Sequence, residues 1–154
     1  MHSFILTSLF SFSLAASAAY TSDDGNVVIT PDAKGCYDVV SKAKGWVGMG
    51  IGSDHMKGSQ MFVGWKNTKG AITVANLVGP AGPTPPKPTT IVVKQGKVTP
   101  VDGYSGISFN FCPPASVKAN GKFLWGMSDT APTGKIDTPA ATIKRHSAYG
   151  VFEL

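Results

Sequence analysis

Apolar and polar positions alternate in short runs along this chain, and turn residues interrupt every run. The pattern predicts strands over Asn26–Thr30, Tyr37–Ser41, Trp46–Ile51, Gln60–Trp65, Ala71–Leu77, Thr90–Lys94, Ile107–Phe111, Phe123–Ser128, Thr142–His146 and Gly150–Leu154. Many of these runs are β-branched or aromatic, and glycine, proline or asparagine separates them. No window sustains a helical apolar repeat, and Ser116–Lys122 offers at most one helical turn. The class is all-β, and an antiparallel β-sandwich is the natural way to bury so many short strands. Val78 to Pro88 breaks the rhythm with Pro80, Pro83, Pro85, Pro86 and Pro88. Proline cannot donate to a ladder, so a stiff extended surface connection is expected there.

The strand Trp46–Ile51 has an unusual face. Alternation sends Val47, Met49 and Ile51 to one side and Trp46, Gly48 and Gly50, with Gly52 beyond, to the other. Three glycines in register leave that second face almost bare. Such a face fits the close approach of another backbone or of a flat ligand.

The loop that follows, Ser53 to Ser59, carries Asp54, His55 and Met56. Met49, Met61 and Met127 fall within strand patterns and read as core. Met56 sits in a polar turn, where burying a thioether for packing alone has little purpose. His146 is the ninth residue from the C-terminus. A thioether and an imidazole together can close both axial positions of a haem. His55 is a rival ligand, but neighbouring residues point different ways and only one of the two should reach a shared iron. Copper held by His55, Met56 and His146 is the other metal reading. Arg145 could pair with a haem propionate, yet strand alternation would put it opposite His146, so a solvated role is expected.

Composition narrows the setting. An apolar run from Phe4 to Leu14 and the small residues Ala16-Ser17-Ala18 predict a secretion signal over residues 1–18, leaving one domain over 19–154. No second stretch is apolar enough to cross a membrane, so a secreted, extracellular protein is expected, and a monomer. The only cysteines, Cys36 and Cys112, then most simply form one disulfide. With no C-x-x-C-H, any haem is held without covalent attachment. The formal charge is +5, but the lysines are dispersed and Arg145 is the sole arginine, which argues against nucleic-acid binding. Hydrolase, zincin and P-loop motifs do not occur.

The residues Gly45-Trp46-Val47-Gly48-Met49-Gly50-Ile51-Gly52, Met56-Lys57-Gly58-Ser59-Gln60-Met61, a strand ending in Trp65, and the late His146 together resemble the DOMON family. Within it they are similar to the haem b cytochrome domain at the front of fungal cellobiose dehydrogenases. The resemblance spans nearly all of residues 19–154. It implies an immunoglobulin-like β-sandwich with non-covalent haem b at one end, Met56 and His146 being the axial ligands. The chain is shorter than those domains, so reduced loops over the haem are expected. It shows no flavin domain or cellulose-binding module, so it would exchange electrons with a separate extracellular partner. A flavin dehydrogenase as donor and a copper monooxygenase or ferric iron as acceptor fit that role. Some relatives of this fold are thought to bind sugars or other ligands without haem. A redox-silent carbohydrate-binding module is therefore the alternative, drawing on Trp46, Trp65, Trp125, Tyr104 or Tyr149.

Overall fold

The structure, a computed structural model, describes residues 18–154. All of the expected secretion signal except Ala18 lies outside the described residues. Eleven strands follow one another along the chain. They are β1 (Tyr20–Thr21), β2 (Val27–Pro31), β3 (Tyr37–Ser41), β4 (Trp46–Ile51), β5 (Gln60–Lys66) and β6 (Ile72–Val78). The remainder are β7 (Lys87–Pro88), β8 (Lys94–Gly96), β9 (Ser108–Cys112), β10 (Lys122–Ser128) and β11 (Ala148–Glu153). Every named pairing is antiparallel, and no helix occurs among the described residues. One sheet has the order β1-β2-β3-β9-β8 and the other β11-β10-β4-β5-β6-β7, so the all-β sandwich is as expected.

The main core lies between the sheets. Val27, Ile29 and Val39 of the five-stranded sheet meet Val47, Met49, Ile51 and Phe62 of the six-stranded one. Phe62 stacks on Phe111 across the gap with ring centroids 4.4 Å apart. Burying side chains of this size contributes about 1.5–3 kcal/mol each. The disulfide joins Cys36, just before β3, to Cys112 at the end of β9. It therefore ties neighbouring strands of one sheet rather than bridging the two.

Two expected strands are corrected. Thr90–Lys94 is not a strand: the chain there crosses from one sheet to the other, Val92 is exposed, and pairing begins only at Lys94. Thr142–His146 is not a strand either; only Thr142 makes a bridge, to Thr133. The alternation is real but has a different cause. Residues 129–147 run across the outer face of the six-stranded sheet, where Ala141 and Ile143 pack down and Thr142 and Lys144 face solvent. The proline segment behaves as anticipated, since Lys87–Pro88 adds only a two-residue edge to β6.

Candidate functional site

The six-stranded sheet is covered on its outer face as well. Trp46, Met61, Val63, Trp65, Ala75 and Leu77 form a second apolar cluster with Ala141 and Ile143 of the overlying segment. Two polar contacts tie that segment down. The Trp65 indole N–H donates to the Ile136 carbonyl at 2.7 Å, and Thr68 donates its backbone N–H and its hydroxyl to the Asp137 carboxylate. Those bonds hold the Asp137 carboxyl below the usual carboxylate range, the Thr68 hydroxyl being the main cause.

Beyond this cover a cleft of about 720 Å³ opens over the sheet, within the range typical of cofactor sites. Its floor is bare for the reason the sequence indicates. Gly48 of β4 lies directly opposite Gly126 of β10. Gly126 is the one position in the interior of β10 that is not buried. A Cβ there would meet only the Trp46 ring and the His146 Cβ at 3.5–3.7 Å, ordinary contact distances. Gly48 differs, since a Cβ would press to 2.8 Å from Val63. Close strand packing explains that glycine, and the cleft explains Gly126.

Met56 and His146, ninety positions apart, both line this cleft, as do Asp54, His55, Lys144 and Arg145. Met56 is half-buried and packs against the outer cluster, whereas His55 is exposed and shares a 2.7 Å hydrogen bond with Asp54. Asp54 also accepts from Lys122 of β10 at 3.1 Å. These bonds, that of Lys122 first, hold the Asp54 carboxyl below its ordinary value. His146 sits with its ring centroid 4.5 Å from that of Tyr149, which is 70% exposed on the edge strand β11. Burial, and then the positive charge of Arg145, hold the His146 imidazole below its ordinary pKa. That favours the neutral form, the one that ligates a metal. Because Thr142–His146 is not a strand, the expectation that Arg145 and His146 face opposite ways lapses, and both border the cleft.

One wall was not anticipated from the residues. Pro83, Thr84, Pro85 and Pro86 line the cleft, because the β6–β7 pairing folds the proline segment back beside Met56. The density of prolines in this stretch was the only signal. Of the aromatic residues considered for sugar binding, Trp46, Trp125 and Tyr149 border the cleft, but the two tryptophans are buried. Trp65 is buried in the outer cluster, and Tyr104 lies elsewhere, beneath Lys42.

The donor set and surroundings fit a haem. Two thioethers border the cleft with the His146 imidazole: Met56, half-buried on its loop, and Met61, buried in β5 among the outer cluster. The walls are mainly apolar, and two cations, Lys144 and Arg145, stand at its edge. The buried Trp46 indole N–H, also in the lining, has no hydrogen-bond partner among the described residues. Among those residues no group of three or more His, Cys, Asp or Glu side chains is gathered to hold a metal ion in their stead.

No protein-family model and no curated protein matches the sequence. Solved structures do. The fold is similar to the cytochrome b domain of pyranose dehydrogenase from Coprinopsis cinerea, with TM-score 0.62 and 17% identity, over 88% of this chain and 80% of that one. It is also similar to the cytochrome domain of cellobiose dehydrogenase from Myriococcum thermophilum, with TM-score 0.53 and 12% identity, over 89% and 86% of the two chains. Over most of its length, then, this chain has the β-sandwich fold of these dehydrogenase cytochrome domains.

Proposed function

We propose that this chain is a secreted b-type cytochrome, with residues 1–18 as its export signal and 19–154 as a single electron-transfer domain. The observation that carries the reading is the convergence of Met56 and His146 on one glycine-floored cleft, in the fold of cytochrome b domains. Bound haem would supply a one-electron carrier. Met56 and His146 would occupy its two axial positions and leave none open for oxygen chemistry, and a thioether ligand raises the potential above that of a bis-histidine site. Gly126 and Gly48 leave the floor flat. Pro83, Pro85 and Pro86 offer no backbone N–H, so that wall is poor in backbone donors, Thr84 being its one polar residue. Lys144 and Arg145 are the cations placed to meet carboxylates at the open edge. The partners that fit are an extracellular flavin dehydrogenase and a copper monooxygenase or ferric iron.

The ligand assignment is tested with Met56→Ala and His146→Ala after hemin loading. Each should change the spin state and weaken haem retention, whereas His55→Ala should leave the spectrum intact. A spectrum that survives both ligand variants would refute the assignment.

A haem-free carbohydrate-binding module is the second reading, and Tyr149 favours it, being an exposed aromatic on an edge strand. It stands alone, however, since Trp46 and Trp125 are only 3% and 4% exposed and cannot extend a sugar platform. Copper on His55, Met56 and His146 is less favoured, because the hydrogen bond to Asp54 holds His55 in an exposed position.

A further inference from the structure

Met56 lies on a loop, and loops are poor places from which to hold a ligand at a fixed position. The backbone of this one is clasped. Ser59 is fully buried, and both its N–H and its hydroxyl donate to the Met56 carbonyl, at 3.1 and 2.9 Å. Gly79, immediately after β6, donates its N–H to the Ser59 carbonyl at 3.1 Å. The Gly58 N–H donates in turn to the Gly79 carbonyl at 3.3 Å. Gly58 has φ +77°, the left-handed conformation that turns the chain from Met56 back into β5.

Gly79 has no room for a side chain. A Cβ there would fall on the Met56 carbonyl oxygen and within 3.0 Å of the Ser59 hydroxyl. The φ of Gly79 is not in the left-handed region, so it is this close approach, not backbone freedom, that requires glycine. The proline segment begins one residue later, at Pro80, and its residues Pro83 to Pro86 line the cleft. One junction thus holds the Met56 backbone on one side and leads into the proline segment on the other.

We infer that Ser59 and Gly79 are positioning residues for Met56, setting where its thioether stands in the cleft. The inference rests on the cytochrome reading only for what the thioether binds; the clasp itself is a property of the cofactor-free chain. Its test therefore uses the whole secreted chain without haem, labelled with ¹³C at the methionine methyls, with Met56→Leu identifying the resonance. In the parent chain the Met56 methyl should be dispersed away from the solvent-averaged position. In Ser59→Ala and Gly79→Ala it should collapse toward that position, while Met49 and Met127 on the inner face stay put. Ser59→Thr, which keeps the hydroxyl, should restore it. If Gly79→Ala loses every dispersed methyl it has failed to fold, and Ser59→Ala alone decides. An unmoved Met56 methyl in a folded Ser59→Ala chain overturns the inference. Hemin added afterwards separates the two claims. Parent protein that shows the methyl behaviour but binds no haem keeps the clasp and refutes the cytochrome reading. Haem-loaded Ser59→Ala should lose the low-spin methionine–histidine signature that Ser59→Thr keeps.

Discussion

Gly126→Val separates the cleft from the fold. The substitution adds three carbons to the floor at a position where the surrounding strands leave space. Its Cβ meets Trp46 and His146 Cβ at 3.5–3.7 Å, so the backbone need not move. Valine also suits a strand interior better than glycine, so stability should hold or rise slightly. The two γ-methyls, in contrast, must stand in the space proposed for the macrocycle. Forcing extra methyl groups into a filled, close-packed site costs about 1–3 kcal/mol. That corresponds to roughly 5- to 150-fold weaker hemin binding. Gly126→Ala should cost much less, since its single carbon makes ordinary contacts. Gly48→Ala is the informative contrast, because its Cβ would press to 2.8 Å from Val63 inside the sheet. It should lower stability before it alters the cleft. The assay pairs hemin titration by absorbance with urea unfolding for all three variants. If Gly126→Val bound hemin as tightly as the parent, the macrocycle would not lie on this floor.

Three further outcomes follow from the packing. Replacing Cys36 and Cys112 by alanine opens a loop spanning 76 positions, and the chain-entropy relation gives a loss of about 4.5 kcal/mol, read as a fall in the urea midpoint. Met61→Ala removes a buried side chain of the outer cluster and should cost about 2–5 kcal/mol in unfolding while the haem spectrum stays low-spin. A haem spectrum abolished by Met61→Ala would show that the wrong methionine has been assigned. Asp137 has its folded-state pKa lowered by Thr68, so its contribution is present above the ordinary carboxylate pKa and lost as pH falls through the lowered value. Amide protection factors in residues 129–147, taken relative to the intrinsic exchange rate at each pH, should therefore fall at acid pH, and Asp137→Asn should remove most of that pH dependence.

Much of this architecture was legible in the residues. The two-residue period of β4 assigned Val47, Met49 and Ile51 to the core and left the glycines outward, because burial on one face of a strand enforces that period. The same logic misled at Thr142–His146. There the alternation reflects packing of a non-laddered segment onto the outer face, and sequence periodicity cannot tell a ladder from such a cover. Met56 stood out as a thioether in a polar turn, although the structure also packs it against the outer cluster. The proline wall did not, since its place depends on the pairing of Val78 with Lys87. The clasp at Gly79 was equally hidden, because a close backbone approach between distant residues leaves no local pattern.

In the proposed cytochrome, Met56 and His146 would close the two sides of one haem. An absorption spectrum of the hemin-treated secreted protein, oxidised and then reduced with dithionite, tests it most directly. A sharp Soret band and resolved α and β bands on reduction are expected, as for six-coordinate low-spin haem b. Absence of visible absorbance after hemin treatment, or a persistently high-spin spectrum, would contradict it.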